Sequence, residues 1–131
     1  MMRPPKVLIV EDQYVAAVNC QEELARVGIE TVGIASTAAE AWLIASRERP
    51  DLILMDIRLA SRADGIETAK EIREQYGIRS LFVTAQDGPE LREQAKAAAP
   101  VGWISKPYTS MDLIKGVKSA LDAIEAARSE V

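Results

Sequence analysis

Five side chains able to do chemistry stand directly behind, or at the end of, short apolar runs. Glu11 and Asp12 follow residues 6–10, Asp56 follows 52–55, Thr84 closes 81–84, and Lys106, with Pro107 after it, lies just past 101–104. Three carboxylates brought to one rim repel one another and raise each other's pKa, so a cation must offset them. Mg²⁺ suits such a rim, because it is hard, takes carboxylate and water oxygens, and uses few protein ligands. A carboxylate kept ionised in this way can attack phosphorus and form an aspartyl phosphate. The transition state of that step spreads negative charge over three equatorial oxygens and calls for a metal, a fixed ammonium and a hydroxyl or amide donor. Asp12 with Mg²⁺, Lys106 and Thr84 supply those parts around Asp56 as the acceptor.

Taken singly, each residue has a plain structural reading. Asp12 could cap the next helix, Thr84 could be a strand end, Lys106 a surface lysine, and Gly65 after Asp64 an ordinary turn glycine. Four strand ends that together deliver the residue types of phosphoryl transfer outweigh those separate readings. The absence of histidine removes a Ser-His-Asp triad, a histidine zinc ligand and a phosphohistidine formed on this chain.

The elements that must position these residues follow from hydrophobic periodicity. Short β-branched or aliphatic runs at 6–10, 30–34, 52–55, 81–84 and 101–104 alternate with amphipathic stretches. Ala38, Ala41, Trp42 and Ala45 make one helical stripe; Ile66, Ala69, Ile72 and Tyr76 make another; Ile114, Val117, Leu121 and Ile124 make the last. Thr37 with Glu40 forms a capping box, 87–90 a helix start, and Gly28 and Gly77 helix stops. Cys20 shares a stripe with Ala17, Leu24 and Val27 and is expected to be a core thiol, and Trp42 to be packing. Segment 87–100 has only Leu91, Ala95 and Ala98 as an apolar face, which predicts a mobile element. Five βα units imply right-handed crossovers and an α/β fold, a doubly wound (βα)5 parallel five-stranded sheet with ligands at the carboxyl ends of its strands.

With 131 residues, 48% of them hydrophobic, the expectation is one domain over 1–131 with no output domain. A net charge of −4 argues against direct nucleic-acid binding. No apolar run approaches the roughly 20 residues that cross a bilayer, and one cysteine forms no internal disulfide, so no membrane association and a cytoplasmic location are expected.

The stretches Val7-Leu8-Ile9-Val10-Glu11-Asp12, Pro50-Asp51-Leu52-Ile53-Leu54-Met55-Asp56, Asp64-Gly65, Phe82-Val83-Thr84-Ala85 and Lys106-Pro107-Tyr108 resemble, in combination and order, the receiver domain of two-component response regulators. The resemblance covers essentially the whole chain and implies a flavodoxin-like strand order 2-1-3-4-5. It further implies that Asp56 takes a phosphoryl group from a sensor histidine kinase or histidine phosphotransfer protein. Asp12 and Asp56 would then bind Mg²⁺ directly, Glu11 through a water, and Arg58 through its backbone carbonyl. Thr84 and Lys106 would contact the phosphoryl oxygens, and a cis Lys106–Pro107 bond would aim the ammonium inward.

Family members couple the threonine to an aromatic switch residue three positions before the lysine. That position is Trp103, larger than the usual tyrosine or phenylalanine, so a shift of segment 87–100 could replace the usual rotamer exchange. Loop 57–63 departs from the common form in being one residue longer and lacking a proline. The output would reach a downstream protein target through 87–100, the fifth strand and the last helix, and the last helix and strand face allow a homodimer.

Three rivals remain at this stage. A haloacid-dehalogenase-type phosphatase would want an acid where Arg58 stands, and an FMN carrier would not place Glu11 and Asp12 beside a phosphate. A degenerate receiver would act as a phosphorylation-independent binding module.

Overall fold

The computed structural model describes residues 3–59 and 64–129. Its strands are β1 (Lys6–Val10), β2 (Glu30–Ala35), β3 (Leu52–Met55), β4 (Ser80–Thr84) and β5 (Trp103–Ser105). Between and after them run α1 (Tyr14–Ala25), α2 (Ala38–Glu48), α3 (Gly65–Tyr76), α4 (Pro89–Ala95) and α5 (Ser110–Ser129). The strands pair in parallel in the order β2-β1-β3-β4-β5, which is the expected topology.

The period-two alternation of each strand sorts its side chains onto two cores. Leu8, Val10, Ile53, Met55 and Phe82 point to the side covered by α2 and α3. Val7, Ile9, Leu52, Leu54, Leu81 and Val83 point to the side covered by α1 and α5. Burial on both faces is why these strands read as unbroken apolar runs. Cys20 lies in the second core as expected, and burial pushes its thiol up to about 11 against the opposing influence of the Tyr108 hydroxyl. Trp42 is half-buried, its ring set edge-on to Tyr76 at 5.6 Å.

Helix ends follow the expected capping chemistry with two differences. The Glu40 N–H donates to the Thr37 hydroxyl at 3.2 Å, but the Glu40 carboxylate returns to the N–H of Ser36, one residue earlier than a standard box requires. Helix α1 is preceded by Gln13, which makes no side-chain cap, so the capping alternative for Asp12 is not realised. Gly77 ends α3 at φ 72°, as a left-handed stop should.

Segment 87–100 contains less helix than its length allows. Helix α4 has 7 residues, continues as a 3-10 turn over Lys96–Ala98, and stops at Ala99, a non-glycine residue with φ 48°. Strand β5 begins two residues later than expected, although the Val101 N–H already donates to the Ser80 carbonyl at 2.9 Å and the Gly102 carbonyl accepts the Phe82 N–H at 3.2 Å. Of the expected departures in loop 57–63, residues 60–63 lie outside the described residues. No helix among the described residues is long and apolar enough to cross a membrane.

Candidate functional site

The order of the sheet creates the site. Strand β1 pairs with β2 on one side and β3 on the other, so the crossovers to its two neighbours leave in opposite directions and a crevice opens between the ends of β1 and β3. Val10 lies opposite Met55, and the Asp56 N–H donates to the Val10 carbonyl at 3.0 Å. The residues that follow the two strands therefore emerge side by side. Glu11 is fixed further by its N–H, which donates to the Ala35 carbonyl at 2.8 Å.

Carboxylate oxygens of Glu11, Asp12 and Asp56 lie within 4.8 Å of one another. Glu11 and Asp56 are buried, whereas Asp12 faces solvent. The Lys106 ammonium reaches between the two buried groups and donates to Asp56 Oδ2 at 3.0 Å and to Glu11 Oε1. The remaining oxygens are also engaged, as Gln13 N–H donates to Glu11 Oε2 at 3.2 Å and Arg58 N–H to Asp56 Oδ1 at 3.3 Å. Burial pushes the Glu11 carboxyl above its ordinary range, with Lys106 opposing and the Asp56 charge reinforcing the rise. Burial alone would lower Lys106, but the two carboxylates outweigh it and hold the ammonium above its ordinary value.

Thr84 is fully buried at the end of β4, with its hydroxyl accepting the Gln86 N–H at 3.1 Å. Its carbonyl accepts the Lys106 N–H at 2.9 Å, which ties the lysine loop to β4. The Lys106–Pro107 peptide bond is cis, as the resemblance implied. Glu11, Asp12, Asp56 and Lys106 thus meet as expected. Trp103 does not join that cluster; it lies half-buried on β5, tilted against Phe82 at 5.6 Å, with the Arg92 guanidinium 4.3 Å above its ring.

Three hard oxygen donors converging with one open to solvent form a donor set that fits a divalent cation such as Mg²⁺. A single ammonium shared by two buried carboxylates leaves the cluster of Glu11, Asp12 and Asp56 one positive charge against three negative ones. The third charge sits at the solvent-facing lip, where an ion can enter.

Two features were not read from the sequence. Gly65, read there as a turn residue and as part of the Asp64-Gly65 stretch of the resemblance, is the first residue of α3 and is packed onto the backbone at Asp56 and Ile57. A Cβ at Gly65 would lie 2.1 Å from the Asp56 carbonyl oxygen and 2.8 Å from Ile57 Cα. Its N–H donates to the Ile57 carbonyl at 2.8 Å, and Asp64 caps the same helix through the Ile66 N–H at 2.8 Å. A glycine at the first helical position, directly after a capping aspartate, was the available signal. The Arg92–Trp103 contact had none, because it depends on how α4 lies across β5.

Against known proteins, the profile of the response regulator receiver domain matches residues 7–118. The chain is 34% identical over 118 residues to the transcriptional regulatory protein PdtaR of Mycobacterium tuberculosis, covering 90% of this chain and 57% of that protein. It is 30% identical over 121 residues to sporulation initiation phosphotransferase F of Bacillus subtilis, covering 92% and 96% of the two chains. The solved receiver domain protein (CheY-like) of Methanospirillum hungatei superimposes with a TM-score of 0.86 at 27% identity, covering 94% of this chain and 98% of the other.

Proposed function

The chain belongs to the response regulator receiver domain family, a family of signalling modules, and from that premise we propose that it accepts a phosphoryl group on Asp56 and passes the resulting change of shape to a protein target. The observation that carries this reading is the Lys106 ammonium held at 3.0 Å from Asp56 Oδ2 while it also pairs with Glu11. That arrangement pairs the buried Asp56 carboxylate with an ammonium and puts a positive charge where phosphoryl oxygens would gather.

The donor is a phosphohistidine on a sensor histidine kinase or histidine phosphotransfer protein, encountered in the cytoplasm. An Asp56 carboxylate oxygen forms a new P–O bond as the P–N bond to the donor imidazole breaks, and the electron pair returns to the ring nitrogen. Lys106 donates to the phosphoryl oxygens, and the Thr84 hydroxyl turns toward them from the end of β4. Asp12 and Asp56, with Glu11 behind them and the Arg58 carbonyl, would hold Mg²⁺. When bound, the ion supplies charge that offsets the carboxylates and the equatorial oxygens. Arg58 stands where a phosphatase of the haloacid-dehalogenase type needs an acid, and it has no proton to give at neutral pH.

The reading is tested by incubating the protein with a small acyl phosphate and Mg²⁺ and weighing it intact. One added phosphoryl group, about 80 Da with roughly 1.5 to 2 negative charges, is the expected product, and none is expected when the metal is chelated.

Gly65→Ala tests whether the start of α3 sets the acceptor's position. The methyl group has no free space, so either α3 or the Asp56 backbone must move, and overpacking of this kind costs about 1 to 3 kcal/mol. Denaturant melting should show that loss, and phosphorylation should slow by about tenfold or more through misplacement of the reacting oxygen. A variant as stable and as fast as the wild type would show that the contact is dispensable.

A further inference from the structure

The loop that carries Lys106 is held by unequal means on its different sides. Toward the sheet, the Lys106 N–H donates to the Thr84 carbonyl at 2.9 Å. Beyond it, Thr109 opens α5 in a reciprocal cap, its hydroxyl accepting the Asp112 N–H at 3.0 Å and its own N–H donating to Asp112 Oδ2 at 3.3 Å. Toward α1, no backbone hydrogen bond reaches this loop among the described residues. The side chain of Tyr108 spans that gap, half-buried and packed against the core that contains Cys20.

Packing alone does not fix the ring there. Inward, a cavity of about 20 Å³ lies between Tyr108, Cys20, Glu11, Leu54 and Val83, space for one water-sized sphere where interiors are normally close-packed. Outward, an open groove of about 690 Å³ runs past Tyr108, Cys20, Asn19, Glu23 and Pro107. Tyr108 and Cys20 thus form the wall between the two spaces, and the ring has room to shift on either side.

Their polar tips meet in that wall. Burial pushes both groups up, the thiol to about 11, and each also acts on the other: the hydroxyl lowers the thiol and the thiol raises the hydroxyl. That is the sign of a phenol O–H donating to sulfur. Both groups are protonated at neutral pH, so the contact carries no net charge.

Resting on the phosphoacceptor reading above, we propose that the contact of the Tyr108 hydroxyl with the Cys20 thiol ties the lysine loop to α1 and so sets where the Lys106 ammonium meets the carboxylates. Tyr108 stands two residues beyond Lys106, and Cys20 lies on the helix that begins shortly after Glu11 and Asp12. The tie therefore closes a ring whose other closing contact is the Lys106–Glu11 pair. When the ammonium moves onto phosphoryl oxygens that pair loosens, and the outer contact remains to hold the loop. Tyr108 is then a positioning residue that acts through Lys106 and touches no reacting atom.

The test compares wild type, Tyr108→Phe, Cys20→Ala, Cys20→Ser and the double variant Tyr108→Phe with Cys20→Ala. Phosphorylation by acetyl phosphate at saturating Mg²⁺ is timed by intact mass, Mg²⁺ affinity is measured by calorimetry, and folding is checked by denaturant melting. Tyr108→Phe keeps the ring and removes only the oxygen, so the fold should survive. Phosphorylation should slow by about three- to tenfold, the range to which one lost hydrogen bond corresponds. Cys20→Ala should slow it to a similar degree, and the double variant no further, because both substitutions remove the same contact. Cys20→Ser, which keeps an acceptor for the hydroxyl, should stay nearest the wild type. Mg²⁺ affinity should hold within about twofold throughout, since the carboxylates that would bind the ion are untouched. Wild-type rates in both Tyr108→Phe and Cys20→Ala would overturn the tie, as would losses that multiply in the double variant or a parallel fall in Mg²⁺ affinity. A wild type that takes up no phosphoryl group would instead overturn the reading on which the tie rests.

Discussion

Asp56→Asn, given the same acyl phosphate and Mg²⁺ as the wild type, should gain no mass, while the wild type gains about 80 Da. The substitution removes the charged nucleophile and keeps nearly the same shape, so the fold should survive. Lys106 retains its partner Glu11, and the Asp56 N–H bond to the Val10 carbonyl does not involve the side chain. No neighbour can take over efficiently. Glu11 is engaged at both oxygens by Lys106 and the Gln13 N–H, and Asp12 faces solvent away from the ammonium contacts. An adduct of equal yield in the variant would move the acceptor elsewhere and overturn the assignment.

Lys106→Met should separate rate from metal affinity. The ammonium is the only side-chain cation paired with the buried carboxylates among the described residues. Loss of such a fixed donor from a transition state typically slows a reaction by about 10²- to 10³-fold, so phosphorylation should fall by that order. The same substitution leaves two buried carboxylates without their counter-ion. The apo protein should lose about 2 kcal/mol, a value set below the usual cost of breaking a buried pair because the lysine is partly exposed. Mg²⁺ should bind more tightly, since a competing positive charge has gone. Slower phosphorylation together with tighter Mg²⁺ binding is the expected combination, and rates unchanged within twofold would remove Lys106 from the mechanism. A fall in rate accompanied by weaker metal binding would indicate that the site had merely collapsed.

Sequence reasoning reached the topology because its signals were local. Continuous apolar runs at Lys6–Val10 and Leu52–Met55 are strands buried on both faces, and their limits are those the sequence implies. The site residues were legible for the same reason. In a doubly wound sheet whatever follows a central strand falls on one rim, so Glu11, Asp12, Asp56 and Lys106 could be placed together before any distance was known.

What escaped depended on contacts between distant elements. The tight seat of Gly65 on the Asp56 carbonyl requires knowing where α3 docks. Helix α4 was shorter than segment 87–100 suggested, because its thin apolar face gives few reasons to continue past Ala95. The left-handed Ala99 that ends the following turn is stabilised by Arg79, 20 residues earlier in the chain, which no local propensity encodes. The guanidinium of Arg92 over the Trp103 ring was likewise not legible, since it depends on how α4 lies across β5.

The central claim is that one buried carboxylate, steadied by an ammonium and a divalent ion, bonds to phosphorus. Fluorine NMR of the protein with beryllofluoride, recorded first without Mg²⁺ and then with it, tests this most directly. The expected result is a set of bound fluoride resonances that appears only after Mg²⁺ is added, at one equivalent per chain, and that is absent from Asp56→Asn. Bound resonances that ignore Mg²⁺, or that persist in the variant, would contradict it.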